Sequence, residues 1–144
     1  MKDILTRNIK GKLIALAVGV ITYLSLQILS MTLLHDVYTF GWMADHLYCY
    51  TWIPVLLLIA FDKTLLSYFI TFGTVAGTIV GELLGKFIKG QRMSQITPDM
   101  KVEEIHERSL HYGVLIWLIT IVAFIAVGIM LSIIHNRRKK QATA

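Results

Sequence analysis

Few residues in this chain are suited to chemistry, and the most conspicuous is Glu82. It stands in the run FGTVAGTIVGELLGKF, residues 72 to 87, with Thr78 and Thr74 four and eight positions before it and Lys86 four after. On a helix, side chains four apart share one face. A carboxylate in an apolar span costs about 2.5–3.5 kcal/mol at the bilayer centre on insertion scales, so it faces protein or water. Two roles fit Glu82. It can form an interfacial ion pair with Lys86, or it can bind a cation or proton on a path lined by Thr74 and Thr78. Gln27 is a further lining candidate. It shares a face with Tyr23 and Ser30, and such polar stripes also bond across to neighbouring helices.

Other polar groups carry less. His35-Asp36 and Asp45-His46 flank HDVYTFGWMADH, but their spacing is no recognised metal-ligand pattern, and no metal site is expected. Glu103, Glu104, His106 and Glu107 in EEIHER read as a solvated helix face. His106, Glu107 and His111 could act on lipid head groups only as a minor alternative. No G-x-S-x-G, H-E-x-x-H or phosphate-cradling glycine loop is present, so no catalytic residues or cofactor are expected and the chain does not read as an enzyme. The single cysteine, Cys49, excludes an intrachain disulfide and a cysteine-based zinc cluster.

The elements that must position these residues are membrane spans. The 144 residues are 56% hydrophobic and only 16% charged, against about 25% charged in ordinary soluble domains. The charges sit at the ends of long apolar runs. Each run of roughly 20 residues crosses a hydrocarbon core of about 30 Å. The first covers about residues 13–34. It is too long for a signal h-region and lacks a small-x-small cleavage site, so it reads as an uncleaved span. The stretch from Met43 to Phe87 is too long for one crossing and divides at Phe61-Asp62-Lys63-Thr64 into spans near 43–61 and 65–88. Pro54 marks a possible kink. The fourth span covers about 113–135, before Asn136-Arg137-Arg138-Lys139-Lys140.

Tyr38, Trp42, Tyr48, Tyr50 and Trp52 form an aromatic belt that marks a membrane boundary. Between the last two spans, Thr97 as N-cap, Pro98 at the first helical position and an apolar stripe at Val102 and Ile105 predict a short amphipathic interfacial helix near 98–110, with Glu104 and Arg108 paired. The expected fold is therefore an all-α integral membrane protein, a single four-helix transmembrane domain over 1–144.

Eight of the fourteen Lys and Arg residues lie in the two termini. Counting cations by side favours both termini in the cytoplasm, nine inside against five outside. The expected location is a bacterial cytoplasmic membrane. The basic charge is accounted for by that surface, and no nucleic-acid module is present.

Gly73, Gly77, Gly81 and Gly85 recur every four residues. In lipid, where hydrophobic force between helices is weak, such a stripe lets two backbones approach closely. The partner can be another span, a second copy or another protein. The leading expectation is a homo-oligomeric transporter or channel for a small cation or cationic solute, packed through this glycine face. The alternative is a non-catalytic accessory or protective protein that docks on a larger membrane complex.

Overall fold

The computed structural model describes the backbone of residues 2–142 and the side chains of residues 9–134. The described chain is all-helical: α1 (Lys2–Thr32), α2 (Tyr38–Asp45), α3 (Cys49–Ala60), α4 (Thr64–Met93), α5 (Val102–Ser109) and α6 (Gly113–Ala142). Three stretches are long and apolar enough to cross a membrane: Ile9–Thr32 in α1, all of α4, and Val102–Ile134, whose apolar part is α6. Leu13, Ile21, Leu24 and Ile28 on α1 and Leu118, Ile119 and Val122 on α6 are exposed, an outer surface suited to hydrocarbon rather than water. The cations at the chain ends, Lys2 and Arg7 and those at 137–140, lie outside the described side chains.

Burial follows helical periodicity. On α1 the buried positions are Ala15, Gly19, Tyr23, Leu26 and Ser30, one stripe at three- and four-residue spacing. On α4 they are Ser67, Ile70, Thr71, Gly73, Thr74, Gly77, Thr78, Gly81 and Gly85. That face is wide because α4 is central: α1, α2 and α3 pack on it, and so does α6.

α3 runs antiparallel to α1. Ser30 meets Tyr48, and at the other end Lys12 Nζ lies 2.9 Å from Asp62 Oδ1 and donates to the Ala60 carbonyl at 3.3 Å. α6 runs antiparallel to α4. Gly85 faces His111, Gly77 faces Trp117 and Thr120, Gly73 faces Phe124, and Gly128 returns to Leu66 and Phe69.

The expected span at 43–61 is not one helix. α2 and α3 are bent by 61° about the break at residues 46–48, and only together, as a broken pair, are they long and apolar enough for one crossing. The twelve residues of α3 reach only about 18 Å at 1.5 Å each. Leu47 and Tyr48 take left-handed backbone angles, φ 52° and 51°, at about 1–2 kcal/mol per residue. Tertiary contacts hold them there. Tyr48 is fully buried, its hydroxyl lies 2.8 Å from Ser30 Oγ, and the Trp52 indole donates to the Leu47 carbonyl at 3.0 Å. Pro54, the residue that suggests a kink, sits inside an unbroken α3.

Three more expectations are corrected. Tyr48 belongs to the interior, not to an interfacial belt, because Ser30 offers its hydroxyl a buried partner. α5 begins at Val102 with Lys101 as N-cap, because Thr97 accepts a turn bond from the Met100 N–H, which leaves Pro98 in that turn. Arg108 bonds to Gln95, Nη1 to Oε1 at 3.0 Å, not to Glu104.

Candidate functional site: a half-helix held at both ends

α2 is an eight-residue helix with no side-chain N-cap of its own. The first N–H groups of a helix lack intrahelical acceptors, and that end carries the positive pole of the helix dipole. Glu82, arriving from α4, supplies the missing acceptor: the Thr39 backbone N–H donates to Glu82 Oε2 at 2.9 Å. A carboxylate there satisfies an orphan donor and complements the dipole, worth up to about 2 kcal/mol in a partly buried setting. At the opposite end, Gln27 Nε2 of α1 donates to the Ala44 carbonyl at 3.1 Å, a donor placed on the negative pole. The two polar residues most costly to bury in these apolar helices thus grip the two ends of one short helix.

The second oxygen of Glu82 faces His111. Nε2 of His111 lies 3.8 Å from Glu82 Oε1, and the two side chains are 7% and 13% exposed. The Gly113 N–H donates to His111 Nδ1 at 3.1 Å. Nδ1 is therefore the acceptor, and the neutral imidazole carries its hydrogen on Nε2, toward Glu82. The Tyr38 ring packs on the imidazole at 4.4 Å between centroids. His111 Nε2 and Thr39 Oγ1 are both buried without a hydrogen-bond partner. These side chains lie together: a Cβ on Gly113 would strike Thr39 Oγ1 and the His111 ring.

Lys86 is exposed and forms no ion pair with Glu82 among the described residues. The ion-pair expectation is corrected, because Glu82 turns inward to α2, where an amide is waiting. Thr74 and Thr78 are also placed differently from a path lining. Both are fully buried, and their hydroxyls donate to the Ile70 and Thr74 carbonyls one turn back, each at 2.8 Å. Tyr23 reaches Thr74 Oγ1 at 3.3 Å, so these groups stitch α1 to α4. Tyr23, Gln27 and Ser30 each bond to a neighbouring element.

The glycine stripe is filled by α6 of the same chain. A Cβ on Gly73 would stand 2.9 Å from Phe124 Cβ, and one on Gly77 would stand 3.1 Å from the Trp117 carbonyl. One on Gly81 would strike the Gly113 carbonyl, and one on Gly85 would stand 2.7 Å from the Gly113 amide. Gly113 lets α6 start against α4, so the stripe, the face expected to pack against a second copy, is covered by α6 of the same chain.

His106 and Glu107 lie exposed on α5, apart from the buried His111. Among the described residues no group of three His, Cys, Asp or Glu side chains could hold a metal ion. Sequence reasoning passes over Thr39, and it reads His111 only with His106 and Glu107 as a minor head-group candidate, not as a partner of Glu82. Thr39 contributes a backbone amide, which has no sequence signature, and His111 lies 29 positions from Glu82. No family model matches this chain, and no curated protein or solved structure is significantly similar to it.

Proposed function

We propose that this protein is a small membrane transport protein in which Glu82 is the cation-sensitive group and α2 the element that moves. The observation that carries the reading is the Glu82 carboxylate seated on the N-terminus of a broken apolar helix. Discontinuous membrane helices present their half-helix ends to ions and substrates in transporters. Here the half-helix holds the protein's own carboxylate. Anything that neutralises Glu82 weakens the hold on α2, which couples cation binding to movement of the break.

On this reading α2–α3 make one broken crossing between α1 and α4, giving four crossings with both termini on the cytoplasmic face. α5 lies at the opposite interface. Homo-oligomerisation, where it occurs, uses the outer faces of α1, α3 or α6, since α6 covers the glycine stripe. The test is solute and ion flux in liposomes carrying the purified protein. Glu82→Gln should abolish flux while the oligomer mass stays unchanged, and unaltered flux in that variant removes Glu82 from the mechanism.

A second reading, an accessory subunit on a larger membrane complex, is favoured by one observation. Thr71, Thr74 and Thr78 spend their hydroxyl hydrogens on their own helix and are sealed from solvent, so they offer no open route within one chain. A stoichiometric larger partner in the intact mass of the native complex would support it.

A further inference from the structure

We infer that the cation read by Glu82 is a proton, and that it reaches the carboxylate through a water held between Glu82, His111 and Thr39. This rests on the transport reading above and deepens it. Both carboxylate oxygens are faced by N–H groups. Thr39 N–H donates to Oε2, and the tautomer fixed by the Gly113 amide turns Nε2–H of His111 toward Oε1. Each oxygen already turns one lone pair to a facing N–H, and one carboxylate, with no group of three His, Cys, Asp or Glu side chains among the described residues, is a poor ligand set for a dehydrated ion. A proton needs only one lone pair.

The spacing points to the water. Nε2 to Oε1 is 3.8 Å, too long for a direct hydrogen bond and suited to a bridging molecule. Two buried polar atoms beside the gap, His111 Nε2 and Thr39 Oγ1, lack partners, and buried waters occupy such positions. A water there accepts from Nε2–H and donates to Oε1. In the binding step a hydronium in this position transfers one proton to the carboxylate, leaving a neutral carboxyl group and water. The neutral carboxyl is a weaker acceptor than the carboxylate for the Thr39 N–H and no longer complements the positive pole of α2, so proton binding loosens the hold on α2.

The other charged and titratable groups facing the pair are few. α4 contributes Lys86 and Lys89, whose charges act on His111. α2 contributes Tyr38 through its ring. The first turn of α6, from Gly113 to Trp117, contains none. His35 and Asp36, ahead of α2, are exposed and face each other at 3.8 Å.

The test is infrared difference spectroscopy of the full chain in liposomes during acidification. The chain has nine Asp and Glu residues, so the signal is the difference between proteins: the wild-type protonated-carboxyl absorption should exceed that of Glu82→Gln by a distinct component, unchanged by sodium or potassium chloride at fixed pH. The inference is overturned if the wild-type and Glu82→Gln carboxyl bands are the same, or if either salt removes the difference at constant pH. The wild-type salt measurement holds even if the variant folds poorly. Proton-driven flux separates the two levels. A band with these properties but no flux under any imposed gradient supports proton binding and removes the transport reading. Flux driven by a sodium gradient at constant pH, lost in Glu82→Gln, keeps transport and overturns the proton.

Discussion

Replacing Gly81 by alanine probes the seam that positions the whole site. A Cβ at this position would be driven into the Gly113 carbonyl oxygen and would stand 3.3 Å from the Trp117 amide nitrogen. Both are backbone atoms in the first turns of α6, and neither can rotate away. Overpacking of this kind costs typically about 1–3 kcal/mol, and with rigid backbone opposite the upper part of that range applies. Alanine recovers about 0.8–1 kcal/mol of helix propensity. The net expectation is destabilisation by about 2 kcal/mol, from combining these two figures. Gly90 is the internal control, because a Cβ there meets nothing within 4 Å. Gly90→Ala keeps only the propensity gain and should stabilise by up to about 1 kcal/mol. The two variants therefore differ by about 3 kcal/mol, roughly a hundredfold in the folding equilibrium. Reversible unfolding in mixed detergent micelles, followed by circular dichroism, measures that difference. Gly81→Ala and Gly90→Ala unfolding within about 0.5 kcal/mol of each other, the ordinary range for surface changes, would refute the close α4–α6 seam.

Three further outcomes follow from the break and the clamp. Leu47→Gly should stabilise the protein by about 1 kcal/mol, because glycine removes the cost of the left-handed backbone and the Leu47 side chain is 60% exposed; the same unfolding assay reads it. Ser30→Ala and Tyr48→Phe should be coupled in a double-mutant cycle by about 0.6–1.7 kcal/mol, the span from the mean to the maximum for membrane hydrogen bonds, whereas additive effects would deny the 2.8 Å contact. Gln27→Leu should destabilise by about 1 kcal/mol, leaving the Ala44 carbonyl without its side-chain donor, and Ala44→Gly should not rescue it.

Much of the bundle is legible in the sequence, for identifiable reasons. α1, α4 and α6 are long apolar runs bounded by charge, and lipid forces such runs into helices because their backbone polar groups must bond internally. The glycine stripe is visible because small residues at a fixed spacing have one strong physical use. Its partner is not visible, since spacing describes one surface and not the one that meets it. The break at 46–48 is hidden for a different reason. DHLYC contains neither glycine nor proline, and the left-handed turn is held by Ser30 on α1, sixteen or more residues away in sequence. Pro54 is the local signal that misleads, because helix continuity there is set by packing of Val55 and Ile59 into the core. The role of Glu82 is half legible. Its cost in an apolar span shows that it must have a partner, but the nearest complementary charge in sequence, Lys86, is not the partner chosen. A backbone amide of a half-helix that the sequence does not announce takes that place.

The central claim is that Glu82 holds the N-terminus of α2, and amide hydrogen exchange at Thr39 tests it most directly. This N–H has no helical acceptor and donates to Glu82 Oε2. A hydrogen bond to a charged group is worth about 1.5–3 kcal/mol, so exchange in bilayer-embedded Glu82→Ala should be roughly 10- to 100-fold faster than in wild type, with amides in the middle of α4 unchanged. Equal exchange at Thr39 in the two proteins would contradict the clamp and everything built on it.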